Sequence, residues 1–208
     1  MAFHSIQGQA HAIEAIRRAL VGGRLHHAYL FAGPEGVGKA TTGRAFAQVL
    51  LCVDPSQTHD ACGVCGACIR VHDSQHADLH IIERKSKSDG VLERNIKIDQ
   101  VRSLQKSLSY KAYEGGRRVI LLLEPERMNP STANALLKTL EEPGRNTHFI
   151  LVSDNAHRLL PTVISRCQRI RFGPLTDETV TRLIREQVEV NDIALATIAR
   201  LAEGSVGR

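Results

Sequence analysis

The chain has 208 residues, enough for one full-sized domain and the start of a second around a sizeable core. Hydrophobic residues make up 42% and charged residues 24%, ordinary for a globular chain, which excludes wholesale disorder. The formal net charge of +5 suits a nucleic-acid partner, but aromatics are only 4% and tryptophan is absent, which argues against a base-stacking platform. No apolar run approaches the roughly 20 residues that span a bilayer. Met1-Ala2-Phe3-His4-Ser5 carries no basic stretch leading into an apolar one. The expected compartment is therefore the cytoplasm, with no membrane partner.

In chain order, apolar residues recur at helical spacing over 5–22 (Ile6, Ala10, Ile13, Ile16, Ala19, Leu20), and Gly22-Gly23 ends that helix. The run 28–32 reads as a short buried strand. It leads through Gly33-Pro34-Glu35-Gly36-Val37-Gly38-Lys39 into a helix ending near Leu51. Residues 52–76 hold the cysteines and read as an excursion from the main fold. A second strand is expected at 79–83, a polar loop at 84–95 and a helix at 98–110 with Ile98, Val101, Leu104 and Leu108 on one face. The unbroken apolar run 119–123 suits the middle of a parallel sheet. A helix over 131–140 is stopped by Glu141-Glu142-Pro143-Gly144. A central strand follows at 149–152 and a last strand at 168–172. Gly173-Pro174 punctuates the chain. Thr176 opens a capping-box-like start, and 177–203 reads as helix. Alternating strands and helices imply an α/β fold with a mainly parallel sheet.

Four of the five cysteines fall within 17 residues: Cys52, Cys62, Cys65 and Cys68, spaced C-x9-C-x2-C-x2-C. In a reducing compartment a disulfide framework is not expected. Four thiolates at this spacing can close a tetrahedron around Zn2+ and leave no open coordination position. Gly63 and Gly66 suit the tight turns that aim them. An iron–sulfur cluster is the rival reading, free thiols the bland one, and His59 and His72 are spare ligands nearby. Cys167, far off in sequence, reads as a small buried hydrophobe.

Gly33 to Lys39 fits G-x4-G-K between a strand and a helix, the context that makes a phosphate loop specific. Gly33, Gly36 and Gly38 let backbone N–H groups turn inward, the helix N-terminus favours an anion, and Lys39 would reach the β- and γ-phosphates. The next residue should carry a hydroxyl for Mg2+, but it is Ala40; Thr41 and Thr42 are rotated round the helix. The partner acid should close the 119–123 strand, which ends Leu123-Glu124-Pro125. Glu124 either stands in for the magnesium Asp or sits at the base-like position after it, with Leu123 where that Asp belongs. The loop has the shape of an NTPase with its chemistry disabled. Lys39 and the loop amides remain able to hold ATP or ADP, weakly or not at all.

His27-Ala28-Tyr29-Leu30-Phe31, the phosphate loop, the four cysteines, the string Asn134 to Pro143 (N-A-L-L-K-T-L-E-E-P) and Ser165-Arg166-Cys167 occur in this order. In that combination the chain resembles bacterial clamp-loader subunits of the AAA+ class over essentially its whole length. The resemblance implies an AAA+ (RecA-like) parallel sheet flanked by helices over 1–173, with a zinc module inserted at about 52–76. It also implies the start of a small helical lid domain at 174–208. A further collar domain of the family is missing, so a truncated chain is expected.

Within the family, Ala40, Leu123-Glu124-Pro125 and Gly204-Ser205-Val206-Gly207, with Arg208 one position late, all depart from the motor type (gamma/tau). They point to the delta prime type of the DNA polymerase III holoenzyme, a DNA-directed DNA polymerase. The resemblance then implies as partners the gamma/tau ATPase subunits, the delta subunit, the sliding clamp and primed DNA. It also implies that Arg166 is an arginine finger reaching a neighbouring subunit's ATP, with Ser165 and Cys167 shaping its loop. A surface or helix-capping arginine is the plainer reading. Lys138 and Glu142 could pair at i,i+4. The segment 83–97 reads as a solvated loop, with Arg84, Lys85, Lys87, Arg94 and Lys97 as cations available to DNA phosphates. Two other functional readings are a motor subunit in which Thr41 and Glu124 compensate, and a zinc-dependent nucleic-acid-binding module.

Overall fold

A computed structural model describes residues 3–55, 59–86, 90–114, 116–188 and 192–207. Five strands form one all-parallel sheet: β1 (Ala28–Ala32), β2 (Leu79–Ile82), β3 (Arg118–Leu123), β4 (Thr147–Ser153) and β5 (Gln168–Arg171), in the order β2-β3-β4-β1-β5. β1, β3 and β4 are apolar runs because helices cover both faces of a parallel sheet, so both sets of alternating side chains are buried. Tyr29, Phe31, Leu121 and Ile150 face one layer, and Leu30, Ile120, Leu122 and Leu151 face the other. The first layer holds α1 (Ala10–Val21), α2 (Lys39–Leu51) and α3 (Gly66–His72), with the ring of Phe46 edge-on to Tyr29 at 5.2 Å between centroids. The second holds α4 (Ile98–Leu108), α5 (Pro130–Glu141) and the single turn α6 (Pro161–Ile164). β5 is an edge strand, and three of its four residues are exposed.

The expected elements between 28 and 172 fall where the sequence put them, within two residues. Two helices differ. The first begins at Ala10 rather than near residue 5, because Gly8 takes a positive φ of 80° and a Cβ there would meet the Leu175 side chain at 2.5 Å. The expected helix over 177–203 is two helices, α7 (Asp177–Gln187) and α8 (Asp192–Leu201). α7 ends at β-branched Val188, which is extended at φ −142°. Thr176 caps α7 by accepting from Thr179 N–H at 3.3 Å, a plain N-cap rather than a reciprocal box. Leu175, Val180 and Ala199 form a small core of their own between these two helices. Among the described residues no helix is long and apolar enough to cross a membrane.

Candidate functional site

All five strands run the same way, so the turn after β1 opens at one end of the sheet beside the ends of β3 and β4, where an α/β sheet binds its ligands. There the loop from Gly33 to Gly38 enters α2. Gly36 (φ 72°) and Gly38 (φ 94°, the N-cap) need the left-handed conformation that glycine permits. Gly33 lies against the backbone of Phe172, where a Cβ would stand 2.2 Å from the carbonyl oxygen. Buried Gln9 clamps the loop from behind, donating to Val37 O at 3.0 Å and Gly173 O at 2.9 Å. The result is an open cleft of about 1180 Å³. Its walls are the loop, the ends of β2, β3 and β4 with the segment Glu83 to Ser86, the segment Ser5 to Gln7, Leu183 of α7, and Leu175 and Val206 on either side of the helical pair.

The side chains in this cleft are engaged with one another. Lys39 is 3% exposed, and its ammonium pairs with Asp154 Oδ1 at 2.7 Å and donates to the Pro34 carbonyl. A buried ammonium needs such a partner. Ala40, where a hydroxyl for magnesium is expected, and Leu123, the place of its acid on one of the two readings, both line the cleft as hydrocarbon, and Glu124, the stand-in acid on the other reading, lines it too. Thr42 is buried and its hydroxyl donates back to Gly38 O at 2.9 Å, so it faces away from the cleft. Thr41 does line the cleft. Glu124 follows β3 in a left-handed conformation (φ 51°). Its carboxylate accepts from Arg84 Nε at 2.6 Å and Arg84 Nη2 at 3.0 Å, with Arg127 at 3.7 Å. The segment Gly204 to Gly207 packs directly on the loop: Val206 N–H donates to Gly36 O at 3.1 Å, and Ser205 is buried beside Gly36. Arg208 lies outside the described residues.

At the far end of α2 the four cysteines converge. Cys52 ends α2, Cys65 caps α3 and Cys68 lies one turn into it. The Sγ separations are 3.6 Å for Cys52–Cys62, 4.0 Å for Cys52–Cys65 and 3.9 Å for Cys62–Cys68, and all four sulfurs lie within 4.8 Å of one another. A tetrahedron with Zn–S bonds of about 2.3 Å has edges of about 3.8 Å, so the donor set fits one Zn2+. A multi-iron cluster would hold its thiolates further apart. No disulfide links them. N–H groups point at the sulfurs, as at Cys68 N to Cys65 Sγ, 3.4 Å. Burial pushes the Cys65 thiol up, but N–H groups of Cys68 and Val53 and the thiols of Cys68 and Cys62 outweigh it and bring Cys65 to about 6. Burial raises Cys68 and Cys52. His59 and His72 are not in the cluster, and His72 instead contacts Asp73 at 3.0 Å. Buried Asp60 ties the module to the N-terminus by accepting from Phe3 N at 3.0 Å and His4 N at 3.2 Å.

Arg166 stands apart from the cleft. It precedes β5, whose Gln168 pairs with Tyr29, and Gly33 lies four residues beyond Tyr29, about 13 Å along the sheet. Its guanidinium donates to Thr162 O at 2.8 Å and to Glu141 Oε1 at 2.5 Å, and its side chain is 33% exposed. Ser165 Oγ also donates to Thr162 O, at 3.1 Å. Cys167 packs on the core beneath, and burial pushes its thiol up to about 12, which makes it inert as a nucleophile. The expected Lys138–Glu142 pair is not seen among the described residues; the engaged carboxylate is that of Glu141. Two of the cations in 83–97 are also paired, Arg84 with Glu124 and Lys97 with Glu93 at 2.6 Å. Lys85 lines the cleft, and Lys87 lies outside the described residues.

Asp154 and Gln9 were not singled out in the sequence; Arg84 was read as a cation for DNA phosphates and Glu141 as part of a helix stop, neither with the partner it has here. Asp154 had a signal: it is the first charged residue after the apolar strand that pairs with β1. The others lie too far from their partners in sequence to have one.

A family described as "DNA polymerase III, delta subunit" matches residues 8–176. The tau/gamma subunit of DNA polymerase III from Haemophilus influenzae is 34% identical over 209 residues, covering 98% of this chain and 29% of that protein. The delta prime subunit from Pseudomonas aeruginosa is 43% identical over 149 residues, covering 71% of this chain and 44% of that one. The chain thus spans less than half the length of either. The fold matches a DNA polymerase III gamma subunit-related protein from Thermotoga maritima with a TM-score of 0.62 at 20% identity, over 93% of this chain and 58% of that one.

Proposed function

The chain belongs to the family of DNA polymerase III clamp-loader subunits, and from that membership we propose that it is of the delta prime type: a subunit that does not hydrolyse ATP itself and acts on a neighbour's. The observation that carries this reading is the cleft. Phosphoryl transfer needs a metal to neutralise charge on the β- and γ-oxygens. Ala40 and Leu123 offer no oxygen for it, and the carboxylate of Glu124 is occupied by Arg84. Lys39 is paired with Asp154, so a nucleotide phosphate would have to displace that carboxylate.

The function is then exerted in trans. Arg166 lies too far from its own phosphate loop to serve it, and a surface guanidinium suits the phosphate oxygens of another subunit's ATP. The partners are gamma/tau-type ATPase subunits and a delta-type subunit, with the sliding clamp and primed DNA reached through the assembly. The four cysteines hold one structural Zn2+, which supplies rigidity and no chemistry because its four ligands leave no open position. Residues 1–173 would be the AAA+ unit and 174–208 the start of a lid.

The test is Mg2+-dependent ATP turnover by the purified full-length subunit. Turnover at background is expected, and robust hydrolysis overturns the reading. The tau/gamma relative aligns over more of the chain than the delta prime relative does, which favours a motor subunit as the second reading. In that case turnover is robust and Ala40→Thr changes it little.

A further inference from the structure

We propose that Glu141 is a positioning residue for Arg166, holding its guanidinium at the subunit surface in the orientation needed to meet a neighbour's nucleotide phosphate; this rests on reading Arg166 as a finger in trans. The turn that carries Arg166 is fixed by its own backbone. Ser165 N–H donates to Pro161 O, Arg166 N–H to Val163 O and Cys167 N–H to Ile164 O, at 2.9–3.2 Å. That fixes Cα but not the long side chain. Two anchors fix the side chain: the Thr162 carbonyl in α6 and the Glu141 carboxylate at the last residue of α5. They hold one Nη group each and leave the other donors of a five-donor guanidinium for an incoming anion.

An arginine left free would have to give up its rotamer freedom on meeting the phosphate, and a finger ordered beforehand does not. The pair contributes orientation rather than stability, because both side chains are partly exposed (33% and 46%) and exposed ion pairs contribute little to folding. Glu141 also holds a countercharge beside the guanidinium until the phosphate arrives.

The experiment uses a reconstituted clamp loader containing the full-length subunit, in which each variant is first shown to assemble and to melt as wild type does. Clamp- and DNA-stimulated ATP hydrolysis is measured with kcat and KM separated, for Glu141→Ala, Glu141→Gln, Arg166→Ala and the double Ala variant. Glu141→Ala is expected to lower kcat about fivefold with KM for ATP unchanged, since misorientation of a group that acts in the transition state costs rate. Glu141→Gln should fall between, because its amide oxygen still accepts. Glu141→Ala should cost nothing more once Arg166 is alanine. An unchanged or raised kcat in Glu141→Ala, or full additivity with Arg166→Ala, overturns the positioning role and leaves the finger standing. An Arg166→Ala loader at wild-type rate overturns the finger itself, and this proposal with it.

Discussion

The two ends of α2 carry two residue constellations of opposite character. At its start, capped by Gly38, the glycine-rich loop keeps the backbone shape of a phosphate loop while Ala40 and Leu123 beside it are hydrocarbon. At its end, closed by Cys52, the cysteine cluster keeps all four donor side chains at tetrahedral spacing. A backbone cradle is part of the core: Val37 is 1% exposed, Gln9 clamps its carbonyl, and Gly33 packs on the Phe172 backbone. The cradle therefore stands whether or not the residues around it do chemistry. The cysteines also pack on the core, but convergence of four sulfurs within 4.8 Å is what a shared ligand requires and packing alone does not. The first site keeps its shape through backbone packing, the second through its donor side chains.

That contrast can be broken first at the cysteines. Chelating the metal, or replacing Cys65 with serine, should lower stability by about 3–4 kcal/mol, the linkage expected when metal stands 100- to 1,000-fold above its Kd. At this chain length that is a fall in Tm of roughly 10 °C. Calorimetry of the metal-loaded and chelated chain checks it, and an unchanged Tm would mean the cluster is not a structural metal site.

A smaller effect should follow from breaking the shape of the phosphate loop. Gly36→Ala forces a non-glycine residue to φ 72° and sets its Cβ 2.0 Å from Ser205 Oγ. The backbone strain alone costs about 1–2 kcal/mol. The segment 204–207 should lift from the loop, read as faster amide exchange at Val206, while metal content stays at one per chain.

The smallest effect lies away from the phosphate loop, at the other end of the strands. Burial lowers the imidazoles of His27, His80 and His148 below 6.5, with charge from His26 adding at His27 and from Arg118 at His80. Each is held neutral in the fold and protonates more readily in the unfolded chain. Stability should therefore fall as pH drops below 6.5 and be flat above it. Urea unfolding of the metal-free Cys65→Ser chain between pH 5 and 8 isolates this from thiolate protonation. A stability that rises as pH falls would contradict it.

The strands were legible because a sheet buried on both faces writes itself as apolar runs, and 28–32, 119–123 and 149–152 are such runs. The phosphate loop and the four cysteines were legible because short spacings carry their geometry. The break between α7 and α8 was not, since apolar residues continue at helical spacing on either side of Val188. Nor was the start of α1, where Ile6 fits the helical pattern but Gly8 turns the chain to pass Leu175. Glu124 was legible as a candidate, but its two alternative roles could not be weighed until Arg84, 40 residues away, was seen on its carboxylate.

The sequence by itself determined the parallel α/β architecture, the four-cysteine donor set and the hydrocarbon side chains at positions 40 and 123. These depend on residue type and on neighbours a few positions away. Only the tertiary structure decided which charges are paired: Lys39 with Asp154, Glu124 with Arg84, Arg166 with Glu141. Such pairings are made across the ends of different strands and helices, and nothing in a linear spacing fixes the distance between two elements until they have packed.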